Sequence, residues 1–191
     1  IDDLLVFHIV FGKTVPDISL NAIANLGYAS CIFGVPVYPG NTLSASSTVI
    51  GLRENSNKQS GVVYVRSIGR NQSGETVLDY VRWVMVRKRD QAAPPPEGDA
   101  AKPPAVVPAD QLQVPAGLDL GRYDFTLAGS KHRWADYEVG EKIDHADGIT
   151  IEEAEHALAT RLYQNTARVH FNQHTESQGR FGKRLIYGGH V

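Results

Sequence analysis

A proline-rich segment divides this chain and limits what it can fold into. Seven of the ten prolines lie between Gln91 and Gly117, mixed with Ala, Val and scattered charge. Proline fixes φ and removes a backbone donor, so such a stretch cannot hold a helix or a central strand. We expect a semi-rigid Pro/Ala-rich spacer over residues 91–121, between a first part at residues 1–90 and a second part at residues 122–191. A signalling ligand is the less favoured interpretation of the same prolines.

The composition is that of a folded protein without attraction to polyanions. Of the 191 residues, 42% are hydrophobic and 21% are charged, which suffices for one or two domains with a core. The formal net charge of -2 argues against nucleic acid as a general partner. The longest apolar stretches, such as Leu4 to Phe11, fall well short of the ~20 residues of a membrane-spanning helix. No membrane partner is therefore expected.

The single cysteine, Cys31, cannot form an internal disulfide. A reducing compartment is therefore expected, and we predict a cytoplasmic protein. The chain starts with Ile1-Asp2-Asp3, which has neither an initiator methionine nor the basic-then-apolar order of a signal peptide. We expect the chain to be an excerpt of a longer gene product.

Residues 1–90 predict one helix followed by an antiparallel meander. The apolar run from Leu4 to Phe11 lacks strict alternation and ends at Gly12, which favours a buried helix over a strand. After Pro16, enrichment in β-branched and aromatic residues predicts strands. The predicted strands are residues 29–37, 43–53, 61–68 and 76–88, with turns at 38–41 and 71–74.

The second part predicts a helix that starts near Thr150. Thr150 and Glu153 have the spacing of a capping box, in which each side chain bonds the backbone of the other residue. The apolar residues of this segment recur at near-helical spacing, so we expect one helix face to pack on a sheet. These residues are Ile151, Ala154, Leu158 and Leu162.

Three stretches of the sequence resemble the MaoC-like hydratases. The turn and long strands of that family are matched by two stretches, VYPGNTLSASSTVIGLRE and GETVLDYVRWVMVRKRD. Asn41 stands where the family usually has an Asp. The third stretch, which resembles the start of a repeat, is DYEVGEKIDHADGITIEEAEHALATRLYQNTARVH. The resemblance implies an α+β hot-dog fold, an antiparallel sheet wrapped on a central helix, present as parts of a double hot dog. Residues 1–90 would be the C-terminal part of the first repeat, and residues 122–191 the N-terminal part of the second.

The same resemblance implies an enzyme, a hydro-lyase that adds water reversibly to an acyl-CoA thioester and needs no cofactor. The resemblance is strongest in three stretches, and it implies mesaconyl-CoA as the substrate and β-methylmalyl-CoA as the product. These stretches are DDLLVFHIVFGKTVPDISLNAIANLGYA, LDYVRWVMVRKRD and RLYQNTARVHFNQH. Two alternatives stay open: an (R)-specific hydratase acting on 3-hydroxyacyl-CoA, and a non-catalytic hot-dog subunit that binds acyl-CoA. Homo-oligomerisation is expected by analogy with the fold.

Three residues align with the catalytic positions of the family. Hydration of an enoyl-CoA needs a base, a proton source for the α-carbon and hydrogen-bond donors for the thioester oxygen. His170 aligns with the catalytic His and is the expected base. Asn165 stands where the family has an Asp, and an amide cannot deliver a proton. Either another acid substitutes, or His170 handles both transfers, or the activity is absent. Gly189 aligns with the glycine whose N–H helps to form the oxyanion hole, although a tight turn would also require glycine.

Basic residues near His170 are candidates for binding the anionic groups of the substrate. Arg168 lies two residues before His170, where a guanidinium could bind the free carboxylate of mesaconyl-CoA, and a surface salt bridge is the equal alternative. Arg180, Lys183 and Arg184 could contact CoA phosphates or form a solvated face.

Metal and nucleotide sites find little support in the sequence. His170 and His174 have the spacing of a chelating pair on one helix face, but no further Cys or His cluster completes a site. No phosphate-binding glycine loop and no nicotinamide or flavin fingerprint is present. We therefore expect no metal.

Overall fold

The computed structural model of the chain describes residues 1–98, 100–129 and 131–191. Residues 99 and 130 fall within the predicted spacer and the predicted second repeat, and they lie outside the described part. The chain divides into two compact units. One is formed by residues 1–113 with residues 152–191, and the other by residues 114–151. The larger unit therefore joins both ends of the chain.

The larger unit contains the α-helices and strands of the described chain. In order, they are α1 (Asp3–Thr14), β1 (Ala22–Phe33), β2 (Ser44–Glu54), β3 (Ser60–Arg70), β4 (Thr76–Arg87), α2 (Glu153–Leu162), α3 (Arg168–Phe171) and α4 (Gln173–Glu176). A π-helix over Val15–Ser19 extends α1, and 3-10 turns occur at Ala109–Gln111 and Gly188–His190. In residues 1–98, 100–129 and 131–191, no helix is long and apolar enough to cross a bilayer.

The smaller unit contains only 3-10 turns as regular structure in its described residues, at Leu120–Arg122 and Trp134–Asp136. The Arg133 guanidinium lies 4.3 Å from the centre of the Phe125 ring, and Tyr123 meets the same ring edge-on at 5.0 Å. Apolar side chains such as Leu127 remain exposed. Local aromatic contacts therefore take the place of a buried core in this unit.

Helix α1 begins at a capping aspartate and runs further than the sequence predicted. The Asp2 carboxylate accepts a hydrogen bond from the Leu4 N–H at 2.9 Å. The predicted helix over residues 4–11 is confirmed, but its predicted end at Gly12 is wrong. A Cβ on Gly12 would lie 1.6 Å from the carbonyl oxygen of Tyr163. This glycine therefore allows another segment to approach the helix closely and does not end it.

The four strands form one antiparallel sheet in the order β1-β4-β3-β2. The predicted strands are confirmed, and β2, β3 and β4 follow one another as the predicted meander, whereas β1 pairs with β4. The first strand spans residues 22–33 where the sequence predicted residues 29–37. Pro36 has no N–H with which to continue the ladder beyond this point.

Asparagine side chains close the two predicted turns. At the turn over residues 38–41, the Asn41 side-chain oxygen accepts from the Tyr38 N–H at 3.0 Å. At the turn over residues 71–74, the Asn71 side-chain oxygen accepts from the N–H groups of Ser73 and Glu75, both at 3.0 Å. Both turns are therefore confirmed, and side-chain bonds to nearby backbone explain why asparagine suits them.

The apolar face of α1 packs on the sheet, with a buried arginine beside it. The core includes Val6, Val10, Phe11, Val15, Val77, Leu78 and Tyr80. Arg82 of β4 has no exposed surface, and its Nη atoms donate to the hydroxyls of Ser19 and Thr14 at 3.2 and 2.9 Å. Its guanidinium lies 4.5 Å from the centre of the Phe11 ring. Arg82 thereby ties the C-terminal end of α1 to the sheet.

The beginning of the proline-rich segment lies on the sheet. Lys88 Nζ donates to the carbonyl oxygen of Ala93 at 2.6 Å, and Pro94 and Pro96 line a cleft with the ends of β2, β3 and β4. A Cβ on Gly51 would lie 2.6 Å from the backbone nitrogen of Ala101. The start of this segment, at Ala93, Pro94 and Pro96, therefore packs on the fold.

Helix α2 confirms the predicted second helix but not its cap or its buried face. Its N-cap is Glu152 and no side chain caps it, so the predicted capping box from Thr150 is wrong. Its buried residues are His156 and Thr160, and the helix packs on the turn at Gly188–His190. The residues predicted to pack on a sheet are instead exposed: Ile151, Ala154, Leu158 and Leu162. The apolar spacing identified a helix face, but it could not say which neighbour the helix meets.

Candidate active site

The candidate site lies where α1 meets the loop after α2 and the turn at Gly188–His190. Two backbone hydrogen bonds hold these segments together. The Arg168 N–H donates to the carbonyl oxygen of Leu20 at 3.1 Å, and the Leu185 N–H donates to that of Val169 at 2.9 Å. The segment carrying the predicted catalytic residues is thereby fixed against the end of the π-helix that extends α1.

His170, the predicted base, has one ring nitrogen bonded, and the other has no hydrogen-bond partner among the described residues. Its Nδ1 lies 2.9 Å from the carbonyl oxygen of Leu185. Because a carbonyl only accepts, Nδ1 carries the proton and Nε2 has a free lone pair. Burial lowers the pKa of His170, while the bond to Leu185 and the charge of Glu176 act in the opposite direction. The free Nε2 of a neutral imidazole can accept a proton from water.

Asn165 is buried, with 1% of its surface exposed, in the loop between α2 and α3. Its side-chain oxygen accepts from the Ala167 N–H at 3.3 Å, which leaves the amide NH₂ to face another partner. Tyr187 lies close to Asn165. Burial raises the pKa of the Tyr187 phenol, with Tyr28 and Tyr80 acting in the same direction, whereas Arg82 and the nearby Asn165 amide lower it. Asn165 therefore lies beside a side chain of the site.

His8 and Tyr187 complete the site, and the sequence analysis missed both. His8 of α1 lies with Nδ1 3.0 Å from the Tyr187 hydroxyl, and its ring stacks on Tyr163 at 5.1 Å. Burial lowers the pKa of His8. The Tyr187 ring lies 5.5 Å from that of His170. The signal for His8 was a polar ring within an apolar helical run, which sequence alone does not distinguish from a core residue.

Gly189 lies directly against the His8 ring. A Cβ on Gly189 would lie 2.3 Å from Cε1 of His8 and 2.8 Å from the Tyr187 ring, whereas Gly188 has no atom near such a position. Neither glycine has a positive φ. Close approach of the histidine, and not a special turn conformation, therefore accounts for the glycine at position 189.

A second buried histidine lies beside the predicted base. His156 of α2 is 3% exposed, and its ring lies 6.0 Å from that of His170 and 5.8 Å from that of His190. Burial, followed by the charges of His170, His190 and Arg184, lowers the pKa of His156, and Glu153 opposes this. In the described residues, no group of three His, Cys, Asp or Glu side chains is arranged to hold a metal ion. His170 and His174 lie on separate short helices, α3 and α4.

The predicted substrate-binding residues lie mostly at the surface. Arg168 is exposed at the start of α3, and residues two apart on a helix do not face each other, so it points away from the His170 side of α3. Arg180 lies over the Phe181 ring at 5.4 Å, and Lys183 is exposed. Arg184 pairs with Glu153 at 3.4 Å. The structure therefore places His170, Asn165 and Gly189 about Tyr187, whereas it shows no contact of Arg168, Arg180 or Lys183 with them among the described residues.

Comparison with known proteins identifies the family. The chain matches the family described as Mesaconyl-CoA hydratase over residues 2–191. It is 65% identical to the Beta-methylmalyl-CoA dehydratase of Chloroflexus aurantiacus and 63% identical to the Mesaconyl-CoA hydratase of Cereibacter sphaeroides. Both matches cover all of this chain and 54% and 55% of the relatives. The chain thus spans about half the length of the curated relatives that it matches.

Solved structures agree with the predicted fold. A MaoC domain protein dehydratase from Chloroflexus aurantiacus superposes with a TM-score of 0.92 at 66% identity, covering 100% of this chain and 54% of its own. A Mycobacterium tuberculosis protein with a double hot-dog fold gives a TM-score of 0.63 at 23% identity, covering 98% and 55%. The prediction of an α+β chain holding parts of a double hot dog is confirmed. The chain belongs to the mesaconyl-CoA hydratase family.

Proposed function

We propose that the protein to which this chain belongs hydrates mesaconyl-CoA reversibly to β-methylmalyl-CoA. The observation that carries the proposal is the free Nε2 of His170, whose tautomer is fixed by the Leu185 carbonyl, within a site assembled by α1 and Tyr187. The relatives named for this activity match the whole chain. Both observations support a hydro-lyase with His170 as the base.

His170 would act first as the base. Its Nε2 takes a proton from water as the water oxygen bonds to the β-carbon of the enoyl thioester. The π electrons of the double bond move towards the thioester, whose oxygen gains negative charge as an enolate. The N–H of Gly189 is the backbone donor that we assign to that oxygen. Hydrogen bonds aimed at developing charge are among the larger contributions to such rates.

The same histidine would return the proton. Asn165 cannot donate a proton to carbon, and in the described residues no carboxylate hydrogen-bonds to His170. The proton on Nε2 is therefore the one that passes to the α-carbon. The hydroxyl ends on the β-carbon and the proton on the α-carbon, so all atoms of the water molecule are accounted for. Asn165 would orient Tyr187.

The anionic groups of the substrate would meet the basic residues around the site. We assign Arg168 to the free carboxylate of mesaconyl-CoA, and Arg180, Lys183 and Arg184 to the phosphates of CoA. Reaching the carboxylate requires the exposed Arg168 side chain to turn towards the substrate.

The proposal also covers the organisation of the protein. Residues 1–90 and 122–191 would be parts of two hot-dog repeats joined by the spacer at residues 91–121. The enzyme would need no cofactor, because the histidine supplies both proton transfers. We expect a cytoplasmic homo-oligomer that acts on an acyl-CoA thioester and has no nucleic-acid or membrane partner.

The choice of substrate tests this proposal. The full-length protein is incubated with mesaconyl-CoA and, in parallel, with crotonyl-CoA, and loss of the enoyl-thioester absorbance is followed while the product is identified by mass. We expect faster turnover of mesaconyl-CoA, because only this substrate carries the carboxylate. Turnover of crotonyl-CoA alone would favour the (R)-specific hydratase, and tight binding without turnover would favour an acyl-CoA-binding subunit.

A further inference from the structure

We infer that His8 is a catalytic residue, which donates a hydrogen bond from Nε2 to the thioester oxygen beside the Gly189 N–H. This inference rests on the proposed hydratase function and deepens it. The side chain comes from α1, far in sequence from His170 and Gly189. The oxygen would then be held by one backbone donor and one side-chain donor.

The position of His8 is the first argument. The ring is half-buried, and its Cε1 lies so close to Gly189 that a Cβ there would be 2.3 Å away. Nε2 is bonded to Cε1, so it lies beside the same glycine. Among the described residues, the structure gives Nε2 of His8 no hydrogen-bond partner. The Nε2 of His8 and the backbone of Gly189 are thus neighbours in the site.

The contact with Tyr187 concerns only one of the two ring nitrogens. Nδ1 of His8 lies 3.0 Å from the Tyr187 hydroxyl, and a hydroxyl can donate to this nitrogen. In the tautomer that the inference requires, Tyr187 donates and Nδ1 accepts, so the proton of the neutral ring is on Nε2. The Asn165 amide lies close to Tyr187 and favours this arrangement when its NH₂ faces the phenol oxygen.

The two histidines of the site consequently have opposite roles. His170 donates through Nδ1 to the Leu185 carbonyl and presents a lone pair at Nε2, which suits a base. In the tautomer proposed for His8, Nδ1 accepts from Tyr187 and Nε2 presents an N–H, which suits an oxygen that gains negative charge. Burial lowers the pKa of His8, which keeps the ring neutral and its bond with Tyr187 intact near pH 7.

Two substitutions at position 8 distinguish the contributions of the two ring nitrogens to kcat. In His8→Gln the amide nitrogen can reach the place of Nε2, whereas in His8→Asn it reaches only that of Nδ1. With the full-length protein and mesaconyl-CoA, we expect His8→Asn to lower kcat by about 10²-fold or more, as loss of one oxyanion donor does, with little change in KM. We expect His8→Gln to recover most of that loss.

An infrared measurement distinguishes hydrogen bonding from a structural role. Mesaconyl-CoA is bound to the full-length His170→Ala variant, and the thioester C=O stretch is compared with that in the double variant His170→Ala, His8→Asn. We expect the stretch to move to higher wavenumber when His8 is replaced, because a donor to the oxygen is lost. An unchanged stretch, or equal losses of kcat in folded His8→Gln and His8→Asn, overturns the inference.

The result for the unsubstituted protein keeps the two proposals apart. If that protein turns over mesaconyl-CoA and His8→Asn is as active, the role of His8 is wrong and the proposed function stands. If the unsubstituted protein does not hydrate mesaconyl-CoA at all, the proposed function is wrong, and the role of His8 in that reaction is rejected with it.

Discussion

His170, His8 and His156 lie near one another but are held by different partners. The Leu185 carbonyl binds His170 and the Tyr187 hydroxyl binds His8, whereas His156 is buried and its Nε2 has no hydrogen-bond partner in the part of the chain that the structure describes. Sequence similarity identified His170 and Gly189, because the family motif surrounds both. It could not identify His8, because α1 approaches Gly189 only in the folded chain. Position in space, and not residue type, gives His8 its proposed role.

The pH dependence of activity follows from the environment of His170. Burial lowers its pKa, so the neutral ring persists to lower pH than for a free histidine. As pH falls, the base is lost only when Nε2 is protonated. We expect the acid limb of kcat/KM for mesaconyl-CoA to have its midpoint below about 6.5, the ordinary histidine value. A midpoint clearly above that value would contradict the assignment of His170 as the base.

The two glycines before His190 provide a matched comparison. Gly189→Ala places a methyl group against Cε1 of His8, whereas Gly188→Ala meets no atom within 4 Å. We expect Gly189→Ala to lower kcat by about 10²-fold, because small displacements of reacting groups have effects of this size. Gly188→Ala is the control and should leave kcat little changed. Steady-state assays of both full-length variants decide this, and equal effects would show that close packing at Gly189 is unimportant.

At the scale of elements, the sequence predicted which helices and strands exist better than it predicted where they end or what they pack against. The helix at residues 4–11, four strands and the helix α2 were all predicted, because each has a strong local pattern. The C-terminal end of α1, at Thr14, and the buried face of α2 were not predicted correctly. Both errors concern where one element meets another. Such contacts depend on residues far apart in sequence, which local spacing does not report.

Substitution of Gly12 by alanine tests the contact between α1 and the loop that carries Asn165. In an exposed helix, alanine would be favoured over glycine by about 0.5–1 kcal/mol. Here a Cβ would lie 1.6 Å from the Tyr163 carbonyl oxygen, so the loop or the helix must move. We expect Gly12→Ala to destabilise the full-length protein by about 1–3 kcal/mol. Lys13→Ala, at an exposed position of the same helix, is the control.

Urea unfolding of the two α1 variants provides the measurement. A lower midpoint for Gly12→Ala than for Lys13→Ala, with the slope unchanged, is the expected result. Higher stability for Gly12→Ala would mean that the loop carrying Asn165 does not rest on α1.

At the scale of the whole molecule, one unit joins the two ends of the chain. Helix α1 and the sheet come from residues 1–90, and the segment with His170 comes from the last forty residues, yet they share one core. Val6, Val10 and Phe11 pack with Ala167 and Tyr187 in that core. The predicted spacer separates residues 1–90 from residues 152–191 in sequence, but these residues meet in space. Stability and the candidate site therefore depend on the same contacts.

Buried histidines should make folding stability depend on pH. The pKa values of His8, His156 and His170 are lowered by burial, so the unfolded chain binds protons that the folded chain does not. Stability is then full above the unfolded value of about 6.5 and falls as pH drops below it. His156, which is 3% exposed, can contribute at most about 1.4 kcal/mol per pH unit.

Urea unfolding between pH 5 and 7.5, at intervals of about half a unit, measures this dependence. We expect His156→Gln to reduce the loss of stability on acidification. The exposed His174→Gln serves as the control and should leave it unchanged. An identical pH dependence in His156→Gln and the unsubstituted protein would mean that His156 is protonated equally in both states.

The central claim is that His170 supplies the base for hydration of mesaconyl-CoA. The most direct measurement compares kcat for mesaconyl-CoA in the full-length protein, its His170→Ala variant and its His174→Ala variant, each shown to be folded. His174 is an exposed histidine four residues away and provides the control. We predict that His170→Ala lowers kcat by about 10²–10⁴-fold while His174→Ala retains activity. Full activity in folded His170→Ala would contradict the account.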